Sequence, residues 1–212
     1  MVAATLTDTK TDTKEQILNV AERLFAERGF VGATLRNVVG EAGVNLAAVH
    51  YHFGSKEELF RSVVVRIAEP VVEQELHLLN QLQQHEEDPS VEAILTALLA
   101  PPLELLTTDG SVQMVVRAQF MGRCRTEPEP IQSIGEQAFS AANQAFLDAL
   151  QRALPEQSRS QLRWKLDLVI AALIRVLNEI GKPNALLQSS APEDIEQTIP
   201  RLVSFLAAGM RT

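Results

Sequence analysis

Apolar residues recur at helical spacing along nearly the whole chain, and no run alternates apolar with polar for long. This predicts an all-α protein. In a first helix over about 13–28, Ile17, Val20, Ala21, Leu24 and Phe25 fall on one face, a stripe that must be buried. Thr13 followed by Gln16 offers a capping box at its start, and Gly29 can adopt the left-handed backbone that ends it. Two short helices follow, about 34–42 and 45–51, joined at Gly43 and closed by Gly54. Ser55 with Glu58 opens a long helix towards His85, in which Pro70 should produce a kink. Longer aliphatic helices are predicted at about 90–106, interrupted by Pro101-Pro102, and at 111–124, 129–153, 157–180 and 193–208.

Two short helices on a glycine turn, braced by a third, form a helix-turn-helix arrangement, whose second helix enters the major groove of DNA. Val38, Val39, Ala42, Val44 and Val49 supply the small apolar contacts where the two would cross. The net charge of −8 runs against phosphate binding, yet its distribution answers the objection. Residues 1–66 carry eight basic and eight acidic side chains, whereas 67–212 carry 11 and 19. A neutral head presents a basic face if its acids point elsewhere. These shifts divide the chain into a DNA-binding head, 1–66, and a larger helical body, 67–212.

The run Thr34-Leu-Arg-Asn-Val-Val-Gly-Glu-Ala-Gly-Val-Asn-Leu-Ala-Ala-Val-His-Tyr-His-Phe-Gly-Ser-Lys-Glu-Glu-Leu-Phe60 resembles the signature of the TetR family of bacterial transcriptional regulators. With the preceding helix, the resemblance covers about the first third of the chain. It implies phosphate or outer-base contacts from Thr34 and Arg36, and a recognition helix starting at Asn45, Leu46, Ala47 and Ala48. It also implies phosphate-facing groups at His50, Tyr51 and His52, and at Lys56 opening the next helix. Ala47 and Ala48 offer only apolar contact to a thymine methyl, so direct readout is limited and DNA shape gains weight. His50 and His52 lie two apart and make a poor metal pair.

In the body, Leu162, Leu166, Val169, Leu173, Val176 and Ile180 repeat at steps of four and three, as do Ile195, Ile199, Leu202 and Leu206. Such seams serve either as internal core or as an interface, and the resemblance implies the latter: a four-helix bundle joining two subunits at a pseudo-palindromic site. The resemblance also implies a ligand pocket between about 90 and 153. Leu103, Gln113, Arg117, Phe120 and Phe139 are the candidate lining for a small hydrophobic or amphipathic effector. Arg117 and Arg123 read equally as solvated or acid-paired, and Trp164 reads as packing.

Cys124 excludes a disulfide framework; beside Arg123 and Arg125 it is either a redox-sensitive thiol or a half-buried side chain. Glu73 and His77 are spaced as a metal pair but lack a third ligand, so no metal and no cofactor is expected. No nucleophile, base and orienting acid stand at recognisable spacing, so no enzyme is expected. No apolar run suffices to span a bilayer and 1–13 has no signal-like segment, which points to the cytoplasm. The expected function is that of a sequence-specific DNA-binding regulator, a homodimeric repressor released by its effector. The alternative is an architectural DNA-binding protein without one.

Overall fold

The computed structural model describes residues 3–85, 88–105, 112–124, 126–180, 182–187, 189 and 191–212. Among these the chain is helical throughout: α1 Ala3–Gly32, α2 Leu35–Ala42, α3 Leu46–Phe53, α4 Lys56–His85, α5 Val91–Glu104, α6 Val112–Cys124, α7 Ile131–Ala153, α8 Arg159–Glu179 and α9 Pro192–Arg211.

The predicted stripe of α1 is the floor of the head. Ile17, Ala21, Leu24 and Phe25 are buried against Val38 of α2, Val49 of α3 and Leu59, Phe60 and Val63 of α4. Around Phe60 three further rings gather: Phe25 at 5.1 Å and Phe30 at 5.4 Å, both edge-on, and Phe120 of α6 at 5.3 Å. Edge-to-face pairs at these spacings add to the area they bury. Because Phe120, Cys124, Ile131 and Ile134 join this cluster, the head's core continues into α6 and α7. The division expected at residue 66 falls inside α4, which passes it without a break.

Two local expectations change. Thr13 lies within α1 rather than capping it, because the helix begins at Ala3. Pro101 and Pro102 sit inside α5, whose last turn closes with Leu105 N–H donating to the Pro101 carbonyl at 3.1 Å; burial of Pro101 and Leu103 carries the helix past its two missing donors. Pro70, the expected site of a kink, lies inside α4, which runs as one helix from Lys56 to His85.

Gly29 does break α1, with φ 70° and ψ 177°, a region open essentially to glycine alone. The kink lets the Phe30 N–H donate to Glu127 Oε1 at 2.9 Å, while Arg123 donates to the carbonyls of Ala26 and Glu27 at 3.2 and 3.1 Å. Arg123 therefore caps the carbonyl end of α1 from the body. A Cβ on Gly29 would stand 2.5 Å from Glu127 Oε1. Gly29→Ala should cost roughly 2–3 kcal/mol through backbone strain and loss of this clasp. A lower urea midpoint at unchanged slope is the expected reading, and an unchanged midpoint would show that the clasp gives way freely.

The body packs α5 at its centre, with Ile94, Leu95, Leu99 and Leu103 buried against α4, α7, α8 and α9. Leu162, Leu166, Val169, Leu173, Val176 and Ile180, with Ile195 and Ile199, are buried in this core within a single chain. These residues were expected at a subunit interface; instead their seam is internal. Leu202 and Leu206 are half-buried against the same core. The outward side of the two helices bears other apolar residues: Trp164 at 62 % exposure, Leu168, and Phe205 at 77 %. Trp164 is thus not the packing residue its type suggests.

Candidate nucleic-acid interface and adjoining cavity

Caps and glycines set the two short helices. The Thr34 hydroxyl accepts from Asn37 N–H while the Asn37 side chain accepts from Thr34 N–H, a reciprocal capping box that starts α2. Gly43, at φ 66°, ends α2 and turns the chain to Asn45, whose side-chain oxygen accepts from Ala48 N–H at 2.9 Å and starts α3. The Thr34 hydroxyl also donates to Asn37 Oδ1 at 2.6 Å, so its side chain is engaged in the cap, whereas Asn45 spends its oxygen on the scaffold and keeps its amide N–H groups.

On α3, Val49 and Phe53 are buried and anchor the helix to α1 and α4. Leu46, Ala47, His50 and Tyr51 are exposed. Ala48 is half-buried against the head core, so of the two alanines only Ala47 faces outward. His50 Nδ1 lies 2.8 Å from the Gly54 carbonyl oxygen, an acceptor, so this nitrogen carries the proton and Nε2 is left for a partner. The rings of Tyr51 and His52 meet edge-on at 5.1 Å, and Tyr51 is 67 % exposed.

Lys56 opens α4. Its ammonium sits 4.4 Å above the Phe30 ring, half-buried, and desolvation lowers its pKa from the usual lysine value while Glu127 works the other way. Arg36 of α2 is exposed. Several of the head's acids are engaged in ion pairs: Glu27 and Glu41 with Arg23, Glu41 also with Arg28, and Glu58 with Arg61.

Glu22 belongs to the same account. It is 1 % exposed, on the buried side of α1, and accepts from Arg117 Nε of α6 at 2.8 Å; Arg66 of α4 lies 3.9 Å away and donates to Asn19 at 2.6 Å. Arg66 and Arg117 also line a cavity of about 230 Å3 between α4, α5, α6, α7 and α8. One ion-paired group therefore touches both the head and the cavity.

Of the predicted lining, Arg117 and Phe139 are there, and Gln113 has its side chain outside the described residues. Leu103 and Phe120 are elsewhere: Leu103 is body core and Phe120 belongs to the phenylalanine cluster. Cys124 lines the cavity as a buried thiol whose pKa is pushed well above the usual value by desolvation and by Glu127, which excludes an activated thiolate. Sequence reading missed Glu22 and Glu75, although each had a signal, a carboxylate in an apolar register. Glu22 lies between Leu18 and Phe25, and Glu75 between Val71 and Leu79. Glu73 and His77 are exposed, and no metal-holding group of three such side chains stands together among the described residues. No helix among them is long and apolar enough to cross a membrane.

Known proteins bear on this geometry. Residues 17–63 match the sequence model described as bacterial regulatory proteins, tetR family, and residues 96–209 match that described as tetracyclin repressor-like, C-terminal domain. The chain is 35 % identical over 116 residues to the HTH-type transcriptional repressor BepR of Brucella suis, covering 52 % of this chain and 53 % of that protein. It is 33 % identical over 121 residues to the HTH-type transcriptional dual regulator CecR of Shigella flexneri, covering 54 % and 52 %. The matched region thus spans about half the length of these relatives. Among solved structures, a tetR family transcription regulator from Shewanella sp. PV-4 superposes with a TM-score of 0.68 at 15 % identity, covering 93 % of this chain and 97 % of that one. The fatty acid degradation regulator FadR of Bacillus halodurans gives 0.65 at 16 %, covering 94 % and 96 %; such likeness speaks for the fold alone. With both sequence models matched, the second over more than half of the chain, this protein belongs to the tetR family of bacterial regulatory proteins.

Proposed function

We propose that the chain is a sequence-specific DNA-binding transcriptional regulator, a homodimeric repressor acting in the cytoplasm and released by a small hydrophobic or amphipathic effector. The observation that carries this reading is α3, a short helix pinned by Val49 and Phe53 that leaves Leu46, Ala47, His50 and Tyr51 exposed. Arg36 and Tyr51 are its phosphate-positioning groups, with the Asn45 amide as a further donor; Leu46 and Ala47 offer apolar contact to bases, and His50 Nε2 offers an acceptor. The relatives named repressors support the direction of control.

A dimer would bring two heads to one pseudo-palindromic site. Its contact surface is the outward side of α8 and α9, where Trp164, Leu168 and Phe205 leave apolar area uncovered. Changing Leu168 and Phe205 together to Glu should yield monomers in sedimentation, and a persisting dimer would place the contact elsewhere. The cavity supports the effector over the architectural alternative. Its wall includes Arg66 and Arg117, and both reach Glu22 of α1, so a ligand that moves either one biases the head.

The test starts from fragments of the source genome selected by the protein. Tyr51→Ala should weaken their retention in gel shifts roughly tenfold or more, as loss of a positioning contact does on both half-sites. Thermal unfolding should stay nearly unchanged, since the side chain is exposed. Equal affinity of variant and parent would overturn the placement of α3 on DNA.

A further inference from the structure

Two buried side-chain atoms of the described cavity lining have no hydrogen-bond partner: Arg66 Nη1, which faces the carboxylates of Glu15 and Glu22 at 3.6 and 3.9 Å, and Glu75 Oε2. Glu75 projects from α4 in register with Ile67, Val71 and Leu79, is 3 % exposed, and its Oε2 has no hydrogen-bond partner. The other ionisable side chains of the lining are Arg66 of α4, Arg117 and Cys124 of α6 and Glu136 of α7; α5 and α8 contribute none. Both arginines have carboxylate partners, Arg117 in Glu22 and Arg66 in Glu15 and Glu22, and Glu136 accepts from Gln132 at 2.9 Å. Nine residues of α4 separate Arg66 from Glu75, about 13 Å along the axis, so the paired cations and the orphan carboxyl lie at different levels of the helix.

We propose that Glu75 anchors the head of an amphipathic organic cation, whose apolar body lies along Val71, Leu98, Phe139, Ile170, Leu173 and Leu177. A buried polar atom left unsatisfied is costly, and a ligand that satisfies it recovers that cost on binding. Cationic charge in such an apolar site needs an opposite charge at contact, and among the described lining residues Glu75 is the carboxyl with an oxygen, Oε2, that nothing engages. An anion would meet arginines already neutralised by Glu22 and Glu15. Space is adequate: Ala118 and Gly135 leave room in the wall, and the volume exceeds the roughly 150 Å3 of an apolar cavity that takes up benzene. Binding a cation draws the proton off Glu75, whose carboxyl burial holds at a pKa of about 8. Affinity for a permanently charged ligand therefore rises with pH up to that value and then levels.

The inference rests on the effector reading above, and calorimetry without DNA separates the two. The probes are hexyltrimethylammonium, hexanol and hexanoate on the full chain. The expected result is at least tenfold preference for the ammonium at pH 8.5, an affinity that falls on going to pH 6.5, and loss of both preference and pH dependence in Glu75→Gln. Hexanol or hexanoate binding as well as the ammonium, or Glu75→Gln binding the ammonium like the parent, overturns the anchor. Circular dichroism of Glu75→Gln checks that the variant is folded, and Glu75→Asp, which keeps the charge on a shorter arm, should retain part of the preference. If the ammonium binds as expected but operator affinity in an anisotropy titration does not change, the anchor stands and the effector reading fails.

Discussion

Between pH 5 and pH 8 the parent protein should lose stability relative to Glu75→Gln. The Glu75 carboxyl titrates near 8 in the folded protein and near 4.5 when the chain is unfolded, and desolvation is the cause. The folded state therefore holds a proton that the unfolded state releases. This contribution is fully present below about pH 4.5, declines as pH rises, and is gone once the folded carboxyl ionises above about 8. The span corresponds to on the order of 5 kcal/mol. The amide of Glu75→Gln has no proton to lose, so its stability relative to the parent should climb across this window. Urea midpoints at pH 5, 6.5 and 8 read the difference. Parallel curves would mean that Glu75 reaches water or a partner. The thiol of Cys124, also raised, titrates above this range and leaves the slope untouched.

Glu22→Ala should be the most damaging change to the junction of head and body. It removes a buried carboxylate that both Arg117 and Arg66, each about a quarter exposed, face. Breaking a buried pair costs roughly 3–5 kcal/mol, and the partial exposure of the arginines places this case near 3. For a chain of this length that is a fall in Tm of roughly 6–12 °C. Because Glu22 and Arg117 are directly paired at 2.8 Å, Glu22→Leu combined with Arg117→Leu should be less destabilised than the two single changes summed. A double variant that simply adds the two single losses would show that the pair is not coupled. The same change should uncouple the cavity from α1.

The head was largely legible because its signals are local. Thr34, Gly43, Asn45 and Gly54 act on their own backbone neighbours, and each does what its type and position predict. The seam of α8 and α9 was legible as a buried seam, but heptad spacing reports that a helix face has a partner and is silent on which chain supplies it. Leu162 and Ile195 found theirs within the same chain, while Trp164 and Phe205, off the repeat, stayed outside. Lys56 shows a related limit, since the sequence shows the cation at the start of α4 but not the Phe30 ring over which it stands. The cavity was least legible. Large apolar residues such as Leu103 and Phe120 fill space, whereas the opening depends on the small Ala118 and Gly135 and on α4, a helix outside the expected region.

The central claim is that two heads on one dimer read a pseudo-palindrome through α3. Hydroxyl-radical footprinting of a selected genomic fragment, with the stoichiometry measured on the same complex, tests it most directly. The account predicts two protected patches related by a two-fold axis, centred one helical turn or a multiple of it apart, about 34–36 Å per turn, with an even number of protomers bound. A single patch held by one protomer, or protection spread evenly over unrelated sequence, would contradict it.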